Sequence, residues 1–101
     1  MIFTKANAQA VARLVSEKVG ADVMQSTRRQ PIMEGRQVAM YILYQQGAKC
    51  QQVARFFGRT HATVIYSYYV VQEQLEISRT FREKWKSLID LCVSFTHENI
   101  C

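Results

Sequence analysis

Apolar residues recur at helical spacing through most of the chain. Between Thr4 and Lys18, Ala6, Ala10, Val11, Leu14 and Val15 fall at steps that share one helix face, and Gly20 follows as a helix end. Val38–Tyr44 is a run of seven apolar or aromatic residues that periodicity alone assigns to neither strand nor helix. Ala39, Met40 and Leu43 favour helix, and no alternating segment offers a strand partner. A central buried helix is therefore predicted over 36–46, closed by Gly47. Cys50, Val53, Ala54 and Phe57 repeat at i, i+3, i+4 and i+7 and predict a short amphipathic helix ended by Gly58. Thr60 is placed to cap the next helix, whose buried seam is Val64, Tyr68, Val71 and Leu75. Ser78 is placed to cap a last helix carrying Phe81, Trp85, Leu88, Cys92 and Phe95, beyond which the tail 96–101 is expected to fray.

Between the first and central helices the pattern fails. Asp22–Gln25 has room for one turn, and Ser26–Gly35 contains Pro31 and Gly35, which predicts a basic loop. The expectation is an all-α single domain over 1–101, of about five to six helices. Within it the two helices meeting at Gly58, over about 49–77, form a helix-turn-helix. Arg59, His61, Ala62, Thr63 and Tyr66 are left on the free side or leading end of the second of these helices. The major groove of DNA is about 12 Å wide and accepts one helix, whose first amides and positive dipole end favour phosphates.

Charge supports the same direction. The net charge is +5, and Arg28–Tyr69 carries six basic residues (Arg28, Arg29, Arg36, Lys49, Arg55, Arg59) against the single acid Glu34, whereas the balance reverses slightly from Val70 onward. No apolar run approaches the roughly 20 residues that span a bilayer, and the first ten residues lack signal-peptide design, so a cytoplasmic protein is expected. The three cysteines, Cys50, Cys92 and Cys101, form no C-x-x-C pair. No metal site is indicated, and Cys50 and Cys92 read as core thiols. His61 has no second His, Asp or Cys beside it in the motif, so no catalytic residue, cofactor or small-molecule substrate is expected.

Two motifs carry a resemblance. Gly35-Arg36-Gln37-Val38-Ala39-Met40-Tyr41 and Phe57-Gly58-Arg59-Thr60-His61-Ala62-Thr63-Val64-Ile65, about twenty residues apart, are similar to the PRQIAMY and FGGRDHTTVL motifs of the C-terminal DNA-binding domain of the bacterial replication initiator DnaA. The resemblance runs from Asp22 to about Leu88 and implies a Trp-repressor-like helix-turn-helix that binds double-stranded DNA. It implies Arg28 in the minor groove, Arg36, Gln37 and Thr63 on phosphates, Thr60, His61 and Ala62 facing bases, and Arg59 as a further basic contact.

The chain departs from the family pattern at several of these places. Thr60 stands for the usual Asp, Ala62 for a Thr, Gln51 for a proline and Glu34-Gly35 for a basic-proline pair, and the turn is one Gly shorter. The first of these removes a carboxylate able to accept from cytosine. The expected function is sequence-specific duplex binding without the family's ATPase domain, as a bacterial, phage or mobile-element regulator or a replication accessory. The alternative is an adaptor that has lost base reading and contacts a replication or mobile-element protein.

Overall fold

The Thr4 hydroxyl accepts from the Asn7 amide at 3.1 Å and so satisfies one of the unpaired donors that begin α1 (Lys5–Val19). A computed structural model describes residues 3–100, with side chains through Val93. After α1 come α2 (Gln30–Gln45), α3 (Cys50–Phe57), α4 (His61–Ile77) and α5 (Arg79–Ile100), with no strand among the described residues. The architecture is all-helical, as the sequence predicts. The side chains of the last helix beyond Val93, and with them the expected fraying of 96–101, lie outside the described residues.

α2 is the hub, packing against each of the other four helices. Its run Val38–Leu43 is buried on all sides because neighbours cover every face, which is why the sequence there shows no amphipathic period. Gln46, just past its end, is buried and bonded through both its amide nitrogen and its oxygen. Its amide nitrogen donates to the Cys92 carbonyl at 3.2 Å and its oxygen accepts from Asn7 at 2.7 Å, tying α1, α2 and α5 together. Arg82 donates to the Leu75 and Glu76 carbonyls at 2.8 and 2.9 Å, satisfying the end of α4 with a cation at its negative pole. On α5 the indole of fully buried Trp85 donates to Glu34 at 3.0 Å, and Lys84 pairs with the same carboxylate at 3.1 Å.

Three expectations about helix bounds and breaks need correction. Helix α2 begins at Gln30, six residues before the predicted start, so the basic loop ends at Arg29. Pro31 lies in the first turn, where its missing N–H has no helical partner to lose. Gly35 is not a break but a buried helical residue at the crossing of α1 and α2. A Cβ built there would come within 2.8 Å of methyls of Val19 and Val23 and 3.2 Å of one on Val15. The turn at Asp22–Gln25 is not helical. It is held by the Met24 amide donating to the Asp22 carboxylate at 2.9 Å.

The predicted stripe of α1 is corrected: Ala6, Ala10 and Leu14 are exposed, and the buried face is Ala8, Val11, Ala12 and Val15, a second set at i, i+3, i+4 and i+7 that the alanine-rich sequence allows equally. In α4, Val64 and Val71 are buried, Tyr68 and Leu75 half-buried, and Ser67 takes a buried place the pattern did not assign. Cys92 is buried and Cys50 only half-buried.

Gly35 offers a test with opposed terms. Alanine would gain up to about 1 kcal/mol in helix propensity, while crowding stiff valine methyls costs roughly 1–3 kcal/mol. Crowding is expected to win, so Gly35→Ala should lower stability by about 1–2 kcal/mol in urea denaturation, and Val19→Ala should recover part of that loss. Unchanged or raised stability would mean that α1 moves away at no cost.

Candidate nucleic-acid interface

The helix-turn-helix is built from α3, a three-residue turn and α4. Gly58 takes φ +67, a left-handed conformation that a side chain strains. This lets its own amide donate to the Arg55 carbonyl at 3.2 Å and the Arg59 amide to the Ala54 carbonyl at 2.8 Å. Both bonds close the end of α3 and turn the chain sharply. Thr60 then caps α4, its hydroxyl accepting from the Thr63 amide at 3.3 Å and lying 3.2 Å from the Thr63 hydroxyl. The Cys50 thiol donates to the His61 carbonyl at 3.5 Å, linking the start of α3 to the start of α4. These contacts present Thr60, His61 and Ala62 exposed at the leading end, with Thr63 and Arg59 half-buried beside them.

Arg36 organises the adjoining surface. It is only 7% exposed and donates from both terminal nitrogens, one to the Gln25 carbonyl and one to the Thr27 carbonyl at 2.9 Å. The loop that carries exposed Arg28 and Arg29 is thereby pinned to the second turn of α2. Burial first, and then the like charge of Arg59, hold the Arg36 guanidinium below the usual arginine value. It stays a cation at neutral pH all the same. Arg36 thus lies within electrostatic range of Arg59, which directly precedes the cap of α4, and it holds the Thr27 carbonyl next to Arg28. Gln37 is half-buried next to Arg36.

Among the described residues most basic side chains of α5 are ion-paired, Arg82 excepted, whereas Lys5, Arg13 and Lys18 on α1 are not. Arg79, Lys84 and Lys86 on α5 are each paired with a carboxylate, at 3.0, 3.1 and 3.2 Å. Among the described residues, none of the six basic side chains between Arg28 and Arg59 has such a partner. The buried, two-carbonyl engagement of Arg36 was not anticipated from the sequence, because its acceptors are backbone groups that leave no residue signature. Among the described residues no cluster of three His, Cys, Asp or Glu side chains is spaced to hold a metal, and no helix is long and apolar enough to cross a membrane.

An exposed, capped helix start beside uncompensated arginines defines a helix-turn-helix of the DNA-binding class. The family model described as the bacterial DnaA protein helix-turn-helix matches residues 8–71, more than half of the chain, and the chain belongs to that family. The family binds double-stranded DNA through this motif. No curated protein matches the chain.

Proposed function

We propose that the chain binds duplex DNA with sequence preference. The start of α4 enters the major groove, Arg28 enters the adjacent minor groove, and Arg36, Gln37, Thr63 and Arg59 lie against phosphates. The observation that supports this most is the exposed, capped start of α4 directly after Arg59, since a free helix start beside cations without carboxylate partners suits a polyanion. His61 and Ala62 are the side chains freest to face bases, because the Thr60 hydroxyl is already engaged by the cap. The biological role in this reading is regulation of transcription or assistance to replication, in the cytoplasm and without a catalytic step.

A salt titration of binding to duplex DNA tests the proposal. Several phosphate contacts require log affinity to fall steeply and linearly with log salt, by about 0.9 per phosphate neutralised; a flat response would count against it. His61→Ala and Arg28→Ala are each expected to weaken binding to a preferred sequence by about 1–3 kcal/mol and to random duplex by less. Equal loss on all sequences would assign both residues to the backbone.

A second reading has one observation in its favour. With the Thr60 hydroxyl used internally and no hydroxyl at position 62, few polar groups remain for bases, which suits an adaptor that contacts protein. Absence of a mobility shift at low salt, together with nuclease-insensitive capture of a protein partner, would favour it.

A further inference from the structure

On α4 the residues Ala62, Ile65, Tyr66 and Tyr69 fall at i, i+3, i+4 and i+7, on the face directly opposite buried Val64, Ser67 and Val71. All four are exposed. The stripe is uncharged and begins at the end that faces bases in the reading above. Farther along the same face come the exposed acids Glu73 and Glu76.

Tyr41, Tyr44 and Tyr68 pack together, whereas among the described residues Tyr69 is 67% exposed and pairs only with its chain neighbour Tyr68. Tyr68 lies 5.3 Å from Tyr41, 5.1 Å from Tyr44 and 5.5 Å from Tyr69, ring centre to ring centre. Among the described residues Tyr66 joins no ring pair and its hydroxyl has no hydrogen-bond partner, and 65% of it is exposed. The fold therefore does not account for it.

We infer that Tyr66 reads an apolar base edge in the major groove, its ring lying on a thymine methyl one helical turn beyond Ala62, an inference that rests on the DNA-binding reading. Position 66 is about 6 Å along the helix axis from position 62, within a groove about 8.5 Å deep and 12 Å wide. A phenol ring offers the apolar surface by which thymine is told from cytosine, and its hydroxyl is free to donate to the phosphate at the groove wall. Glu73 lies about 10 Å farther on, where its charge repels phosphate and so bounds the footprint on the helix. Tyr69 sits at that boundary.

The test uses the full chain and selection from random-sequence duplexes at fixed salt. Wild type and Tyr66→Phe should recover a motif with a thymine column that Tyr66→Ala loses. Tyr66→Ala should also bind the wild-type motif about tenfold more weakly. Deoxyuridine in that column should weaken wild type about fourfold, the worth of one buried methyl, and leave Tyr66→Ala unaffected. The deoxyuridine comparison on wild type needs no variant and so stands whether or not Tyr66→Ala folds. Identical motifs and affinities for all three proteins overturn the inference while leaving DNA binding intact. So does a loss in Tyr66→Ala that is equal on every sequence, or a loss only of self-association in sedimentation. Failure of the wild type to retain any duplex overturns both readings.

Discussion

Arg36→Ala is expected to lower stability and DNA affinity together, which no other single change on this surface should do. Two charge-assisted bonds to the Gln25 and Thr27 carbonyls disappear, and together they are worth roughly 2–3 kcal/mol in urea denaturation. Affinity should fall on every duplex alike, with the salt slope reduced by about one unit, because a phosphate contact carries no sequence information. Arg36→Lys separates the two effects. An ammonium keeps the charge but not the planar fork that spans two carbonyls, so most of the slope should return and most of the stability should not. A stable, tightly binding alanine variant would show that the loop is held by other means.

Trp85→Ala should be the most destabilising substitution in the described core. The ring is fully buried, and removing it leaves a cavity between α5 and α2 while depriving Glu34 of its indole donor, a loss of about 3–5 kcal/mol. Set against the 5–15 kcal/mol typical of a domain, that is a large fraction of the whole. Trp85→Phe keeps most of the volume and loses the donor, so it should fall between the two. Circular dichroism is the proper readout, since the chain's one tryptophan is the residue removed. A fall below about 1 kcal/mol would mean that the site collapses onto itself.

The parts of the fold visible in the sequence were those decided locally. Cys50–Phe57 is a surface helix whose stripe meets the core on one side only, so its apolar period survives in the sequence. Thr60 could be read as a cap because a hydroxyl before an apolar period has few other uses. The start of α2 was hidden because Pro31 serves a loop and a helix's first turn equally well. Gly35 was hidden because what requires it, the methyls of Val15, Val19 and Val23, lies on another helix and in the turn after it. The position of the candidate surface came from two motifs, and these cannot say which arginine is engaged internally. Arg28 and Arg36 look alike in sequence, yet one is exposed and the other bonded to the backbone.

The distribution of charge has a consequence for how the molecule arrives at its target. Six basic residues and one acid lie between Arg28 and Tyr69, while Glu73 and Glu76 at the other end of α4 are offset by Arg79 and Arg82, so the protein carries an uneven positive field in solution. In the field of a duplex it turns its more positive side forward before any contact forms, which removes part of the orientational search and raises the encounter rate. Orientation achieved at a distance weakens once the Debye length shrinks below the size of the protein, so fast capture belongs to dilute electrolyte and slow capture to concentrated.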